Sequence, residues 1–172
     1  ALIYTFEPLQ ENFEILKKNT IQFKNIEVFN FGLGAKNGSF KLYLSDDKEN
    51  YGGVSFYPEG EGNMSEPYTE CEVKNVNDVI QDLGITSVDL IKIDTEGAEY
   101  DILTSFKHEF LKKTSWITGE LHGNRDFELL NYLNDLDFSI SLNKNIDNRL
   151  FMFNAGEKEI VSKLSRKEIK IL

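Results

Sequence analysis

One stretch constrains the fold of this chain more than any other: residues 88–94, a mostly apolar run that ends abruptly in Asp94. A run of this composition is typical of a β-strand covered on both faces, as in parallel sheets. Glu96 and Glu99 follow, so three carboxylates stand close together, and Gly97 allows a tight turn among them. The pattern predicts a buried strand, a turn and a helix start, with acidic side chains gathered at the turn.

Strands and helices alternate along the rest of the chain. Strand composition occurs at residues 1–6, 26–31, 39–44, 69–73, 116–121, 138–142 and 150–153. Helical patterns occur at residues 12–20, 76–83, 99–106 and 126–136. The glycine pair at 32–34 predicts a turn, and residues 45–67 predict a long loop. This order predicts an α/β fold of Rossmann-like type, with a mostly parallel sheet and an antiparallel edge at the C-terminal end.

Composition and charge narrow the class of protein. A chain of 172 residues predicts a single domain, residues 1–172, with a real core. The formal net charge of -10 disfavours nucleic acid and anionic membranes as partners. The sequence has no apolar run of membrane-spanning length and no signal-peptide pattern at its start, so we expect a cytoplasmic protein. The single cysteine, Cys71, has no partner for a disulfide and no neighbours for a zinc site.

Polar side chains follow three of the predicted strands. Glu7 ends the first, Asp94 ends the central one, and Glu120 ends the next, with His122 close behind. Ligands bind beyond the carboxyl ends of the strands in open parallel sheets. We therefore expect Glu7, Asp94 and His122 to line one edge of the sheet and to meet in one cleft.

These residues each allow a second interpretation. A carboxylate at Glu7 suits the two hydroxyls of a ribose, but Glu7 also precedes Pro8 as a solvated loop residue would. The carboxylates at Asp94, Glu96 and Glu99 could serve only to cap a helix start. Capping explains Glu99 well, but it does not explain why so many carboxylates crowd into six positions.

Several motifs, in order along the chain, carry a family resemblance. They are Phe6-Glu7-Pro8, Gly32-Leu33-Gly34, Gly52-Gly53-Val54-Ser55 and above all Asp89-Leu90-Ile91-Lys92-Ile93-Asp94-Thr95-Glu96-Gly97-Ala98-Glu99. Over roughly residues 3 to 122 the chain resembles the FkbM family of methyltransferases. The resemblance implies a class I methyltransferase fold that uses S-adenosylmethionine. It also implies methylation of a hydroxyl on a sugar or another small-molecule acceptor.

The resemblance implies roles for particular residues. It assigns cofactor binding to Phe6, Glu7, Asn30, Gly32 and Asp94. It places Asp94, Glu120 and His122 at the transfer site as catalytic residues, and it gives substrate contacts to Gly53, Ser55 and Glu96. Methyl transfer needs a base for the acceptor proton, and an imidazole titrates near neutral pH, so His122 is the expected base. The other histidine, His108, lies in a charged stretch typical of a solvated helix end.

The family's opening strand, with its Asp-x-Gly-Ala-x-x-Gly turn, is not found before Glu7. We therefore expect an N-terminally truncated domain whose first strand is missing from the centre of the sheet. The gap would be filled either by direct pairing of the strands near Ile3 and Ile91 or by a strand from another polypeptide. The second way predicts self-association through an exposed edge.

Three other functions stay open or are excluded at this point. Asp94, Glu120 and His122 could hold a hard divalent cation, although no spacing requires one, so we expect no metal. A truncated domain could bind a partner without catalysis. A nicotinamide-dependent dehydrogenase would also use an acidic ribose contact, but residues 94–99 do not fit that class.

Overall fold

The computed structural model describes residues 1–44, 54–55, 68–122, 125–144 and 151–163. The strands are β1 (Ile3–Phe6), β2 (Ile26–Phe29), β3 (Gly32–Gly34), β4 (Gly38–Leu44), β5 (Val54–Ser55), β6 (Tyr68–Asn75), β7 (Leu90–Ile93), β8 (Trp116–Leu121), β9 (Phe138–Lys144) and β10 (Phe151–Glu157). The helices are α1 (Gln10–Thr20), α2 (Val76–Asp82), α3 (Glu99–Ser105), α4 (His108–Leu111), α5 (Asp126–Asp135) and α6 (Lys158–Lys163). The chain divides into two units, residues 1–79 and 80–172.

The first unit begins with a β-α-β arrangement. β1 pairs in parallel with β2, from Ile3 opposite Ile26 to Phe6 opposite Phe29. α1 connects them, and parallel neighbours need such a crossover. Glu7 therefore stands at the carboxyl end of β1, where the backbone N–H of Glu7 donates to the Phe29 carbonyl at 3.0 Å.

A second sheet of the first unit has the order β3-β6-β4-β5. Leu42, Cys71 and Val73 are buried in its core, with Leu9 and Phe40 packed against them. The turn expected at residues 32–34 is not formed, so that expectation was wrong. These residues form β3, which pairs in parallel with β6. Tertiary pairing with β6 here overrides the turn preference of glycine.

The second unit is built on a sheet of order β7-β8-β10-β9. β7 and β8 are parallel, and β10 runs antiparallel to both β8 and β9. The core side chains are almost completely buried: Ile117, Leu129, Leu133, Phe138 and Phe153. The α/β class and the antiparallel C-terminal strands are confirmed, with the refinement that the antiparallel strand β10 lies inside the edge strand β9.

Other sequence expectations differ from the structure in detail. β7 is not covered along its whole length, because Leu90 is 58% exposed while Ile93 is buried. β5 lies within the stretch expected to be a long loop and pairs with Tyr43 and Leu44. The rest of that stretch lies outside the described residues. In the part of the chain that is described, no helix is both long enough and apolar enough to cross a membrane.

Candidate active site

The parallel pairing of β7 with β8 sets the position of the candidate site. Ile93 lies opposite Gly119 in the register, so the next residues lie side by side, Asp94 directly after β7 and Glu120 near the end of β8. The strands pack tightly here. A Cβ on Gly119 would lie 2.3 Å from the Ile93 carbonyl oxygen and 2.9 Å from the Phe153 ring. Glycine at position 119 therefore permits the close approach that places the two carboxylates together.

The turn between β7 and α3 has a strained backbone. Glu96 has a φ of 50° and Gly97 a φ of 106°, both in the left-handed region. Glycine adopts this region freely, whereas a glutamate held there costs free energy, and such residues cluster at functional sites. α3 then begins at Glu99, and its N-cap residue, Ala98, offers no side chain to the free backbone N–H groups.

The carboxylate of Glu99 holds this turn in place by accepting hydrogen bonds from its backbone. Its side chain is 2% exposed, and Oε1 accepts hydrogen bonds from the backbone N–H of Thr95 at 2.9 Å and of Gly97 at 3.2 Å. Nδ1 of His122 lies 3.4 Å from the same oxygen. Burial alone would raise the pKa of Glu99, but the hydrogen bonds from His122, Thr95 and Gly97 lower it below its ordinary value. Glu99 is therefore a buried, ionised carboxylate.

His122 lies between carboxylates on both sides of its ring. Nε2 is 3.3 Å from Glu120 Oε2 and 4.0 Å from Glu96 Oε2, opposite the Nδ1 contact with Glu99. The hydrogen bond to Glu99 and the charges of Glu96 and Asp94 raise the pKa of His122 to about 9, against the opposing effect of burial. The imidazole of the ligand-free protein therefore carries a proton at neutral pH, and it becomes a base only after losing it.

The other acidic side chains complete the cluster. Burial and the charges of Asp94, Glu99 and Glu120 raise the pKa of Glu96 even though His122 lies nearby. Lys92 Nζ is 3.1 Å from Asp94 Oδ2, in an exposed ion pair. Ligand atoms of Asp94, Glu120 and His122 lie within 4.8 Å of one another, so these three side chains could close around a divalent cation.

The first unit carries the candidate cofactor residues around Glu7. Oε1 of Glu7 accepts the backbone N–H of Leu9 at 2.8 Å, and burial raises the pKa of Glu7 in spite of that hydrogen bond. Nδ2 of Asn30 donates to the Glu7 carbonyl at 3.0 Å and so ties the end of β2 to this turn. Glu7 is half-buried, so it is not the fully solvated loop residue of the second interpretation.

An aromatic cluster adjoins this turn. The rings of Phe6 and Phe29 stack with centroids 5.3 Å apart, and Phe31 packs against Phe6 at 5.5 Å. β3 begins directly after Phe31, at Gly32, which is buried. The carboxyl ends of β1 and β2 thus place aromatic rings, a half-buried carboxylate and an amide within one small region.

The expected site residues fall into two groups. The structure brings Asp94, Glu96, Glu120 and His122 together in the second unit, and it brings Phe6, Glu7, Asn30 and Gly32 together in the first. Gly53 lies outside the described residues, and Ser55 is described only as a backbone partner of Tyr43. The expectation that Glu7 shares one edge of a single sheet with Asp94 and His122 is wrong for the described residues: β1 pairs with β2 in a two-stranded sheet, whereas β7 and β8 belong to the four-stranded sheet β7-β8-β10-β9.

Sequence reasoning missed one member of the site, Glu99. Its position at a helix start indicated a capping role, whereas its carboxylate bonds the preceding turn and reaches His122. The available signal was Gly97 two residues earlier, because a turn with free backbone N–H groups requires an acceptor nearby.

Comparison with known proteins identifies the family of this chain. The family model described as the Methyltransferase FkbM domain matches residues 1–156. A crystal structure of Methyltransferase FkbM from Methylobacillus flagellatus KT matches with a TM-score of 0.60 and 17% identity, over 90% of this chain and 36% of that chain. The AMB antimetabolite synthetase AmbE of Pseudomonas aeruginosa is 38% identical over 56 residues, 33% of this chain and 3% of AmbE. This chain thus spans about a third of the first protein and a small part of the second. The structural match shows the fold, and the family match shows that the chain belongs to the FkbM methyltransferase family.

Proposed function

We propose that this chain transfers a methyl group from S-adenosylmethionine to a hydroxyl of a sugar or another small metabolite. The observation that carries the proposal is the position of His122 at the end of β8, with Glu99 on one ring nitrogen and Glu120 on the other. An imidazole with a fixed partner on Nδ1 is the arrangement by which proteins prepare Nε2 for proton transfer.

The reaction requires few groups. Methyl transfer forms a bond between the acceptor oxygen and the methyl carbon and breaks the carbon–sulfur bond, whose electron pair goes to sulfur. The hydroxyl proton passes to Nε2 of His122. His122 accepts it only in its neutral form, so the reaction starts from the fraction of protein in which the imidazole has lost its proton.

The remaining carboxylates supply charge and orientation. Asp94, Glu96 and Glu120 form an acidic region around His122, which favours a cationic ligand by Coulomb attraction. Glu96 and Glu120 also offer acceptor oxygens to the other hydroxyls of a polyol substrate. This would align the reacting hydroxyl, and alignment is a large part of catalysis for an in-line displacement.

The first unit offers groups that fit the cofactor. S-Adenosylmethionine, when bound, supplies an electrophilic methyl group on a sulfonium. Glu7 presents a half-buried carboxylate, which suits the paired hydroxyls of a ribose. Phe6 provides an aromatic face next to it, and Asn30 and Gly32 hold the backbone around it.

Two further points of the proposal concern substrate and location. AmbE is named as an antimetabolite synthetase, which supports a small-molecule acceptor rather than nucleic acid or a membrane. We also propose a cytoplasmic location, where the buried thiol of Cys71 would stay reduced. The proposal also keeps the expectation that a strand from another polypeptide, or a second copy of this chain, pairs with an exposed sheet edge.

A divalent cation is a second way to activate the acceptor, because the ligand atoms of Asp94, Glu120 and His122 lie close enough together to bind one ion. In that mode a metal ion would polarise the hydroxyl in place of an imidazole base. The geometry favours base catalysis, because the buried Glu99 faces Nδ1 of His122 and leaves Nε2 on the more exposed side of the ring.

Calorimetry and a transfer assay test the proposal together. We expect the chain to bind S-adenosylmethionine and S-adenosylhomocysteine. We also expect it to transfer the labelled methyl of S-adenosylmethionine to at least one member of a panel of monosaccharides and nucleotide-sugars. Binding without transfer to the panel would support a module that binds only. No binding of either compound would contradict the proposed function.

A further inference from the structure

The two ring nitrogens of His122 have different surroundings. Nδ1 faces Glu99, which is 2% exposed, whereas Nε2 faces Glu120 and Glu96, which are 25% and 38% exposed. Solvent and a substrate can therefore approach the Nε2 side, and the Nδ1 side is closed. The asymmetry gives the two nitrogens separate roles.

Glu99 is fixed in place independently of His122. Its Oε1 accepts the backbone N–H groups of Thr95 and Gly97, and the Thr95 hydroxyl lies 3.2 Å from the same atom. A buried carboxylate that lost such partners would leave an uncompensated charge, which is strongly unfavourable. The carboxylate therefore keeps one orientation, and His122 must adapt to it.

We propose that Glu99 is the positioning residue of this site: it accepts the Nδ1 proton of His122, so that the neutral imidazole carries its lone pair on Nε2. Glu99 touches neither acceptor nor cofactor in this role. The link to an acceptor hydroxyl depends on the proposed function, but the orientation and tautomer of His122 do not.

The proton balance of the step is simple. A proton leaves the acceptor hydroxyl and joins Nε2. The imidazolium that forms keeps its other proton on Nδ1, which donates it in a hydrogen bond to the ionised Glu99. The charged groups facing His122 are Asp94 and Glu96 from the turn after β7, Glu99 from α3 and Glu120 from β8. Among these, Glu99 is the fully buried one, so its charge is the least screened by water.

Nitrogen NMR of the whole chain tests the geometry without any activity. The chain has two histidines, so the spectrum of a His108→Gln variant assigns the signals of His122. We expect both ring nitrogens of His122 to be protonated at neutral pH. Above the pKa of His122 we expect Nδ1 to keep its proton and Nε2 to lose it. A neutral imidazole with its proton on Nε2 would overturn the proposal, and this measurement needs no change at Glu99.

Glu99→Gln adds a second test, because it keeps the side-chain shape and an acceptor oxygen but removes the charge. We expect the pKa of His122 to fall by about 1–3, the usual effect of removing an opposite charge at this distance. Glu109→Gln, which removes an exposed carboxylate in α4, is the matched control and should leave the pKa unchanged. An unchanged pKa in Glu99→Gln would contradict the proposed role.

Kinetics separate positioning from a merely structural role. On the plateau of the pH–rate profile, above the pKa of His122, we expect Glu99→Gln to lower turnover roughly 100-fold, the lower end of what general base catalysis contributes, with unchanged affinity for S-adenosylhomocysteine. The acidic limb of its pH–rate profile should move to lower pH together with the pKa of His122. An equal loss of rate at every pH would contradict positioning. A wild-type chain without methyl transfer would instead refute the proposed function, while the NMR result would still decide the role of Glu99.

Discussion

Gly119→Ala probes the strand contact that brings Asp94 and Glu120 together. The added methyl would lie 2.3 Å from the Ile93 carbonyl oxygen, 2.7 Å from Ile93 Cγ2 and 2.9 Å from Phe153 Cε1. Real Cβ atoms keep about 3.0 Å or more, so the backbone at Ile93 must move by about 0.7 Å. A backbone carbonyl held in a strand pairing cannot rotate aside as the end of a flexible side chain can.

The size of the effect follows from this overlap. Overpacking a well-filled core by a methyl typically costs ~1–3 kcal/mol, and the contact with strand backbone favours the upper part of this range. Ile93 directly precedes Asp94, so the displacement also separates Asp94 from Glu120. A misplacement of about 1 Å near reacting groups can lower a rate roughly 100-fold.

Urea unfolding and the methyl-transfer assay measure the two consequences. Gly38→Ala is a matched control in another strand, since its nearest contact would be the far end of the Phe40 ring at 3.1 Å. We expect Gly119→Ala to lose both stability and rate and Gly38→Ala to keep most of both. Wild-type stability and rate in Gly119→Ala would refute the pairing of β7 with β8 in this register.

Three further predictions concern the charged groups. Glu7→Ala should weaken the affinity for S-adenosylmethionine by ~1–3 kcal/mol, with the exposed Glu27→Ala as the control; equal affinities by calorimetry would remove Glu7 from the cofactor site. The raised pKa of His122 contributes stability that is complete below its ordinary value of 6.5 and is lost as pH rises through about 9. Urea unfolding should therefore show the advantage of wild type over His122→Gln shrinking by roughly 3 kcal/mol between about pH 6 and pH 10, and a constant advantage would contradict the ion pair. Removal of divalent cations with a chelator should leave methyl transfer unchanged, whereas loss of activity that Mg²⁺ restores would favour the metal mode.

The sequence predicted the acidic cluster because it depends on simple topology. Asp94 follows one mostly apolar strand and Glu120 lies near the end of the next, and neighbouring parallel strands end at the same edge of a sheet. His122 follows Glu120 closely, so it was expected there too. The composition of residues 88–94 and the pattern of 116–121 were sufficient for this part of the site.

The contact between Glu99 and His122 could not be predicted in the same way. It joins residues 23 positions apart through side-chain orientation, which strand order does not specify. Local pattern assigned Glu99 to helix capping, which is a frequent role at that position. Likewise, the glycines at 32 and 34 favoured a turn, and the pairing of β3 with β6 was decided by tertiary contacts.

The most direct test of the account is the rate of methyl transfer by wild type and His122→Ala, with the affinity for S-adenosylhomocysteine measured in parallel. We expect a turnover at least roughly 100-fold lower in His122→Ala, with the affinity essentially unchanged, because the imidazole acts on the acceptor proton. Unchanged turnover across the pH range would contradict the assignment of His122 as the base.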